Sequence, residues 1–342
     1  LDEALQELLA HARPQAGAQL VDTFDADGRV LLQAAVSPLQ VPPQDNSAMD
    51  GYAVRTVECA DGAAVLPVSQ RIPAGTSPDA LAAGSVARIF TGAPVPAGAD
   101  AIVMQEDCEL LEDGRVRIKA QPRAGQWIRR AGEDITQGAT VIEAGTRLTP
   151  AHLGLAASMG FASLQVARKP RVALFSTGDE LVMPGDVPPE AMKPGAIYNS
   201  NRFFLRALLL RLGCEVSDLG IVPDNRAATL AALQSAAEGH DLILTSGGVS
   251  VGEEDHIKPA VEQLGTLDLW QIAMKPGKPF AYGHVRRAGS GQAHFMGLPG
   301  NPVSSFVTFL LLVRPFVLRS MGVADCLPRS IPLPAGFNWT KP

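Results

Sequence analysis

The stretch LILTSGGVSVGEEDH, from Leu242 to His256, joins an apolar run to two glycines and then to three acidic residues. An apolar run that ends in Gly247-Gly248 predicts a buried strand followed by a tight turn. Glycine-rich turns after buried strands can cradle phosphate with backbone N–H groups, whereas carboxylates repel phosphate. A structural turn is the simpler interpretation, and a site that holds a phosphate together with a cation is the functional one.

Strand-like and helix-like segments alternate around this stretch, over the second half of the chain. The predicted strands are RVALFS (171–176), CEVSDLGIV (214–222), DLILTS (241–246), LDLWQIAM (267–274), FAYGH (280–284) and HFMG (294–297). The predicted helices are NRFFLRALLLRLG (201–213), NRAATLAALQSAAEGH (225–240, with Asp224 as N-cap), HIKPAVEQLG (256–265) and a final helix that begins at Asn301-Pro302. This alternation predicts an α/β fold with a doubly wound, mostly parallel sheet, and the continuous apolar strands indicate helices on both faces.

The first half of the chain follows different patterns. LDEALQELLAHA (1–12) has helical periodicity, and LTPAHLGLAASMGF (148–161) predicts a helix with Thr149 as N-cap and Gly160 as its end. From position 51 to 133, short apolar alternations predict a small, mostly β domain, in which Asp113-Gly114 forms a type I′ hairpin turn. The predicted domains are a helical and extended linking or dimerisation domain (1–44 and 134–168), the mostly β domain (45–133), the α/β domain (169–322) and the start of a truncated C-terminal β domain (323–342).

The composition argues against several classes of protein. A net charge of −6 argues against a nucleic-acid-binding surface. The four cysteines show no paired spacing, which predicts free thiols in a reducing cytosol instead of disulfides or a zinc site. The longest apolar stretch, FVTFLLLVRPFVL (306–318), contains Arg314 and Pro315 and predicts a buried helix instead of a membrane span. We expect a cytoplasmic protein with no signal peptide and no membrane contact, trimmed at both ends.

Four predicted strand ends carry loops rich in glycine, lysine and carboxylates. They are STGDEL (176–181), TSGGVSVGEED (245–255), MKPGKP (274–279) and GLPGNPVS (297–304). In a parallel sheet such loops meet at one edge, which is where ligands bind. Backbone N–H groups together with Lys275 and Lys278 suit a phosphate, and the carboxylates suit Mg²⁺.

Each of these loops also has an ordinary structural explanation. Glu180, Asp224 and Asp255 can cap helices, the lysines can be solvated, and Asn301-Pro302 is a good helix start. The convergence of four such loops favours a ligand site. The sequence contains neither a Walker lysine pattern nor a GxGxxG fingerprint, which argues against a P-loop NTPase and a standard dinucleotide site.

Three segments of the first half extend this argument: DNSAMDGYAVR (45–55), RIFTGAPVPAGADAIVMQED (88–107) and RRAGEDI (129–135). Together with the four loops they resemble the MoeA family of molybdopterin molybdenumtransferases, to which the E domain of gephyrin is related. The resemblance covers nearly the whole chain and implies the molybdopterin-binding fold for the α/β domain. It also implies insertion of molybdate into adenylylated molybdopterin, with Mg²⁺-dependent release of AMP. An elongated homodimer is implied as well, and a MogA-type adenylyltransferase is a further candidate partner.

By this resemblance, the candidate site residues fall into three sets. The catalytic set is Asp50, Thr91, Asp134, Glu180, Asp224, Asp255 and Lys275. The substrate-binding set is Thr177, Gly178, Ser246, Gly247, Gly248, Ser250, Lys278, Pro299, Asn301 and Pro302. The metal-binding set is Glu180, Asp224 and Asp255. By the residues alone, a turn is favoured for Asp50-Gly51, Thr91-Gly92 can close a β loop, and Asp134 can cap the joint between domains.

Two features depart from the family pattern. Gln271 follows Trp270, where the family often has a lysine, and the family's C-terminal β domain is represented only by IPLPAGFNWTKP (331–342). Three alternatives stay open: a MogA-type adenylyltransferase, a CinA-type nucleotide deamidase and a non-catalytic scaffold like the gephyrin E domain. The first-half segments count against the first two, and a scaffold needs no cluster of carboxylates at strand ends.

Overall fold

The structure is a computed structural model that describes residues 1–14, 17–249 and 256–338. The chain divides into two compact units. One unit contains Leu1–Gln33, Ala144–Leu153 and Ala162–Pro342, and the other contains Ala34–Glu143 and Gly154–Phe161. We call them the α/β unit and the β unit, after the sheets that they contain.

The helices and strands of the described residues are numbered in chain order. The α-helices are α1 (Asp2–His11), α2 (Pro150–Ser158), α3 (Asn201–Leu212), α4 (Arg226–Gly239), α5 (Ile257–Leu264), α6 (Pro302–Thr308) and α7 (Arg314–Ser320). The strands are β1 (Ala18–Asp22), β2 (Ala35–Val36), β3 (Asn46–Ser47), β4 (Gly51–Val54), β5 (Val65–Ile72), β6 (Val86–Ile89), β7 (Ala101–Met104), β8 (Cys108–Leu110), β9 (Arg115–Ile118), β10 (Ile128–Arg129), β11 (Thr140–Ile142), β12 (Ser163–Ala167), β13 (Arg171–Thr177), β14 (Leu181–Val182), β15 (Ile197–Tyr198), β16 (Glu215–Val222), β17 (Leu242–Ser246), β18 (Gly265–Trp270), β19 (Ala281–Arg286) and β20 (Gln292–Leu298). A π-helical turn, Phe309–Val313, joins α6 to α7.

A six-stranded sheet forms the centre of the α/β unit, with the strand order β16-β13-β17-β20-β19-β18. The first four strands are parallel, whereas β19 and β18 run antiparallel to their neighbours. Leu174 and Phe175 are adjacent on β13 and belong to hydrophobic clusters on opposite faces. Helices α1, α3 and α7 contribute to the first cluster, and α4 and α5 to the second. The predicted doubly wound, mostly parallel sheet is confirmed.

Two helix boundaries show how local sequence sets the ends of these elements. Helix α3 ends where predicted, because Gly213 adopts the left-handed conformation with φ 94. Helix α4 is capped by Asn225, whose side chain accepts a hydrogen bond of 2.9 Å from the N–H of Ala228. The prediction that Asp224 is the N-cap is therefore wrong, because the helix begins one residue later than expected.

Strand β18 is shorter than the predicted segment LDLWQIAM. It ends at Trp270, because Gln271 has φ 68 and turns the chain away from the sheet. The N–H of Ile272 then donates to the carbonyl of Lys278 at 3.0 Å, which closes the loop that carries both candidate lysines. The prediction that the strand continues to Met274 is therefore wrong.

The run from α6 through the π turn to α7 is one continuous helical segment, Pro302–Ser320. Its 19 residues are long and apolar enough to cross a membrane by length and composition, but 61% of its apolar window is buried inside the protein. Phe309, Leu312 and Phe316 lie in the cluster on the first face of the sheet. The prediction of a buried helix over this stretch is consistent with that burial.

The β unit is organised around a second six-stranded sheet, with the order β7-β4-β6-β5-β9-β8. Strands β8 and β9 form the expected antiparallel hairpin, but the type I′ turn is wrong. The N–H of Gly114 bonds to the carbonyl of Leu111 at 3.0 Å, and within this loop the left-handed residue is Gly114, with φ 82. The connection is a three-residue loop with a glycine bulge, in which the Asp113 carboxylate accepts from the N–H of Arg115 at 3.0 Å.

Candidate functional site

A cavity of about 280 Å³ lies where three neighbouring parallel strands of the α/β unit end. Strands β13 and β17 end at Thr177 and Ser246, and the chain leaves β20 at Leu298. The cavity is lined by Thr177, Glu180, Leu181, Ile197, Tyr198, Asn199, Ser200, Asn201, Ser246, Gly247, Gly300, Asn301 and Pro302. Three of the four predicted loops therefore meet at one place, as a parallel sheet requires.

The turn after β17 has to be made of glycine. Gly247 and Gly248 have φ 94 and φ 66, in the left-handed region. A Cβ atom on Gly247 would lie 2.5 Å from the carbonyl oxygen of Thr177, and one on Gly248 would lie 2.7 Å from the hydroxyl of Thr177. The N–H of Gly247 donates to the carbonyl of Leu298 at 3.0 Å, so it is used within the protein. Among the described residues the N–H of Gly248 has no such partner, and it can serve a ligand.

The first loop places a carboxylate at the cavity. Glu180 is exposed and lines the cavity wall. Gly178 has φ 141, and a Cβ atom there would overlap the Glu180 carboxylate, so this side chain folds back over the glycine. Asp179 accepts a hydrogen bond of 3.1 Å from the N–H of Asp224, which connects this loop to the loop before α4.

The last loop begins α6 as the sequence predicts. The side chain of Asn301 caps the helix by accepting from the N–H of Ser304 at 3.0 Å, and Pro302 occupies the first turn. The preceding Pro299 accepts a hydrogen bond through its carbonyl from the hydroxyl of Ser246 at 3.5 Å. Asn301 and Pro302 line the cavity directly.

Two buried amides in the cavity wall were not predicted. Asn199 and Asn201 are 2% and 6% exposed, in the short segment YNSN that leads into α3. Nδ2 of Asn201 donates to the hydroxyl of Ser246 at 2.8 Å and to the carbonyl of Gly300 at 2.7 Å. Asn201 therefore holds two strand-end loops together. A polar run immediately before an apolar helix was the available signal, but such a run is also typical of a solvated loop.

The structure does not bring the candidate lysines into this cavity. Lys275 and Lys278 are exposed and line a second cavity of about 440 Å³ in the same unit, together with Gln271 and Met274. Gly277, between the lysines, is held against α6, since a Cβ atom there would lie 2.8 Å from the hydroxyl of Thr308. The loop is therefore well anchored while both ammonium groups remain available.

The candidate metal ligands are only partly described. Ser250 and Asp255 lie outside the described residues. Within the parts of the chain that the structure describes, no three His, Cys, Asp or Glu side chains are grouped so as to hold a metal ion. Glu180 is the cavity-lining carboxylate. One carboxylate is enough for Mg²⁺, which takes one or two carboxylates together with phosphate oxygens and water.

Two of the three candidates in the β unit form a pair. The N–H and the hydroxyl of Thr91 both donate to Oδ1 of Asp50, each at 2.7 Å. These bonds, the backbone one first, hold the pKa of Asp50 below its ordinary value, so the carboxylate is charged near neutral pH. Asp134 is separately bound by Arg129, whose guanidinium donates to its two oxygens at 2.6 and 2.5 Å.

Gly248→Val is expected to lower the free energy of unfolding by at least about 2 kcal/mol, because a β-branched residue is strained at this φ. Its Cβ atom would also lie 2.7 Å from side-chain atoms of Thr177 and Ile257. Gly185→Val is the matched control, since Gly185 has φ 95 but no atom within 4 Å of its Cβ position. Urea unfolding of both variants measures the difference, and an equal loss in the two would contradict the close-approach argument.

Comparisons with known proteins identify the family to which this sequence is similar. The sequence matches the MoeA N-terminal region (domain I and II) over residues 1–160 and a probable molybdopterin binding domain over residues 173–319. It is 41% identical to the molybdopterin molybdenumtransferase of Haemophilus influenzae, over 94% of this chain and 78% of that protein. It is 39% identical to the molybdopterin molybdenumtransferase of Synechococcus elongatus, over 99% of this chain and 89% of that protein.

Solved structures lead to the same family. The crystal structure of a molybdopterin biosynthesis MoeA protein from Pyrococcus horikoshii superposes with a TM-score of 0.77 at 33% identity. The match covers 94% of this chain and 80% of that one. A second crystal structure of a MoeA protein from the same organism gives a TM-score of 0.80 at 28% identity. The chain belongs to the MoeA family of molybdopterin molybdenumtransferases.

Proposed function

We propose that this chain inserts molybdate into adenylylated molybdopterin and releases AMP in a reaction that requires Mg²⁺. Its family makes it a transferase of molybdenum cofactor biosynthesis. The observation that carries the proposal is the cavity of about 280 Å³ at the ends of three parallel strands. It combines a glycine turn with buried polar atoms that have no partner among the described residues. Such atoms favour a polar ligand, because an unpaired buried group costs free energy until it is paired.

The two substrates have different chemistry, and the α/β unit offers two cavities. We assign the phosphates of adenylylated molybdopterin to the turn at Gly248, where a backbone N–H is available. We assign molybdate, a small anion, to the second cavity, where Lys275 and Lys278 supply positive charge. Attack of water on the pyrophosphate releases AMP and leaves one phosphate on the pterin. The two dithiolene sulfurs then replace oxygen ligands of molybdate, which leave as water after taking up protons, including those of the dithiolene.

Glu180 is our candidate for holding Mg²⁺, together with Asp224 and Asp255. The exposed Glu180 carboxylate lines the cavity and fits a site completed by substrate phosphate. When bound, Mg²⁺ offsets the negative charge of the two phosphates. The N–H of Asp224 donates to Oδ1 of Asp179 at 3.1 Å, and this bond holds the backbone of the loop before α4 in place.

We also propose a cytoplasmic homodimer in which Asp50 and Thr91 serve the α/β unit of the other subunit. The two hydrogen bonds from Thr91 keep Asp50 ionised, so it is suited to accept hydrogen bonds or a cation and not to donate a proton. Asp134, fixed by Arg129, is assigned to the same site. A MogA-type adenylyltransferase is the proposed source of the substrate, because this reaction consumes an adenylylated pterin.

The test is AMP release from adenylylated molybdopterin with Mg²⁺, measured with and without molybdate. We expect release that depends on molybdate, and a loss of at least about 100-fold in Asp255→Ala, consistent with removal of one metal or catalytic group. The matched control is Asp27→Ala, an exposed carboxylate of the same unit that the site does not use.

Two results would argue against this assignment. Full AMP release by a folded Asp255→Ala would remove Asp255 from the site. Tight binding of adenylylated molybdopterin without any AMP release would instead favour a binding or scaffold protein of the gephyrin E type.

A further inference from the structure

Asn199 and Asn201 present opposite unpaired groups at the same cavity. Oδ1 of Asn199 accepts from the N–H of Arg202 at 3.3 Å and from the hydroxyl of Ser176 at 3.5 Å, while its Nδ2 is buried without a partner. Asn201 is the reverse, since its Nδ2 makes two hydrogen bonds and its Oδ1 is buried without a partner. The cavity wall therefore offers one free donor and one free acceptor from neighbouring residues.

The orientation of each amide is fixed by a backbone partner. The N–H of Arg202 can only donate, so the atom of Asn199 that faces it must be the oxygen. The carbonyl of Gly300 can only accept, so the atom of Asn201 that faces it must be the nitrogen. The assignment of free donor and free acceptor does not depend on an arbitrary choice of amide orientation.

The concentration of unpaired atoms at this place points to a ligand. In the described residues, seven buried side-chain polar atoms lack a hydrogen-bond partner, and three of them belong to cavity-lining residues: Thr177, Asn199 and Asn201. Folded proteins pair nearly all such groups, because an unpaired one carries the full cost of its desolvation. A ligand that pairs with all three atoms would recover that free energy.

We infer that Asn199 and Asn201 together recognise the lactam edge of a pterin. Nδ2 of Asn199 donates to the ring carbonyl, and Oδ1 of Asn201 accepts from the adjacent ring N–H. The hydroxyl of Thr177 pairs with a further group of the same edge. This inference rests on the proposed function and names the part of the substrate that the cavity selects.

The size of the cavity and its number of free groups favour a pterin over an adenine. A volume of about 280 Å³ is near the lower limit of ligand pockets, so it suits one ring system and not the whole adenylylated substrate. An adenine edge offers one donor and one acceptor. The pterin edge offers a carbonyl, a ring N–H and an exocyclic amino group, which matches the three unpaired side chains.

The first test changes the ligand and leaves the protein intact. The probes are 6-hydroxymethylpterin and its 2,4-diamino analogue, in which the carbonyl becomes an amino donor and the ring N–H becomes an acceptor. Both changes oppose the free groups of Asn199 and Asn201, so we expect binding of the analogue to be weaker by on the order of 100-fold. Equal affinity of the two probes, or no measurable binding of 6-hydroxymethylpterin, would overturn the inference.

The second test is Asn199→Asp, which replaces the free donor by an acceptor of the same shape. We expect pterin binding to be weaker by at least about 10-fold near pH 7 and to recover in part near pH 5. Burial at this 2% exposed position raises the pKa of the new carboxyl, and its protonated form regains an O–H donor. Asn225→Asp is the matched control, since Asp also caps a helix, and its binding should be unchanged. A merely structural role for Asn199 predicts no recovery at lower pH.

Binding of AMP tests whether the cavity recognises the adenine ring of the substrate instead of its pterin ring. Retained AMP affinity in Asn199→Asp supports the pterin assignment, whereas loss of AMP binding with pterin binding intact would overturn it. The proposed function is tested separately by AMP release. A chain that discriminates the two pteridines but releases no AMP would retain this inference and reject the reaction.

Discussion

Asp241→Ala is expected to lower the free energy of unfolding of the α/β unit by about 3–5 kcal/mol, because it breaks a buried ion pair. Asp241 is 6% exposed and lies immediately before β17. Its two oxygens accept from the guanidinium of Arg168 at 2.7 and 2.8 Å, and Oδ2 also accepts from the N–H of Arg171 at 2.8 Å. The substitution therefore removes the hydrogen-bond acceptor of the Arg168 guanidinium and of the Arg171 N–H at the same time.

The charge of Asp241 is essential to this effect. Burial works against ionisation of this carboxyl, but the hydrogen bonds from Arg168 and from the N–H of Arg171 more than offset it. They hold the pKa of Asp241 below its ordinary value. The network ties the segment before β13 to the beginning of β17, so it stabilises the register of these two neighbouring strands, whose other ends form the cavity.

Urea unfolding near pH 7, followed by circular dichroism, measures the loss. The matched control is Asp325→Ala, because Asp325 forms an exposed ion pair with Arg329 at 3.7 Å. Exposed pairs contribute little, so this variant should unfold like the unmodified protein. If Asp241→Ala also unfolds at the same urea concentration as the unmodified protein, the ion pair does not stabilise the strand register.

The same residues show what the sequence could reveal about the fold. Strand β17 is buried at every position and begins with three apolar residues, and α3 has a buried apolar face and is followed by glycine, so both are predictable from local pattern. Asp241 and Arg168 are 73 positions apart, and no local sequence pattern predicts that they form an ion pair. The sequence also does not indicate element boundaries that depend on one residue. Asn225 caps α4 although Asp224 is an equally good capping residue, and the chain turns at Gln271 although the residues after it continue an apolar pattern.

The candidate site was predictable where glycine or a strand end marks it. Gly247 and Gly248 have left-handed φ angles that favour glycine, and Asn301 precedes a proline as a helix N-cap, so the sequence itself indicates their geometry. The amides Asn199 and Asn201 were missed because their importance lies in which atoms are left unpaired, and this follows only from three-dimensional packing. The placement of the lysine loop at a second cavity likewise depends on how the chain turns after β18.

The α/β unit is also expected to lose stability as the pH falls from about 6.5 towards 4, because of a buried histidine cluster. The hydroxyl of Tyr282 lies 3.2 Å from Nε2 of His284 and 3.1 Å from Nδ1 of His294, and Nδ1 of His284 lies 3.0 Å from Asp268. The ring of His11, on α1, is centred 5.5 Å from that of His284. Protonation of His284 or His294 places a charge in the cluster that joins α1 to the sheet.

Burial is the main cause of the shifts, and it lowers the pKa of His294 to about 4. The neighbouring His284 and His11 act in the same direction, while Asp241 opposes them. Burial also lowers the pKa of His284, although Asp268 works against that shift. Since an unfolded histidine titrates near 6.5, the unfolded chain binds more protons between pH 6.5 and 4. The stabilisation is complete above about pH 6.5, and His294 alone accounts for on the order of 3 kcal/mol lost by pH 4.

Carboxylates also destabilise the protein in acid, so the informative quantity is the difference between the protein and its variant His294→Asn. Asparagine keeps a polar atom near Tyr282 but does not titrate, and the free energy of unfolding should therefore fall less steeply between pH 6.5 and 4. The matched control is His152→Asn on α2, which lies outside the cluster and should keep the full slope. Urea unfolding at several pH values gives the three slopes. If His294→Asn loses stability in parallel with the unmodified protein, protonation of His294 is not what weakens this unit, and His284 and the carboxylates must account for the acid transition.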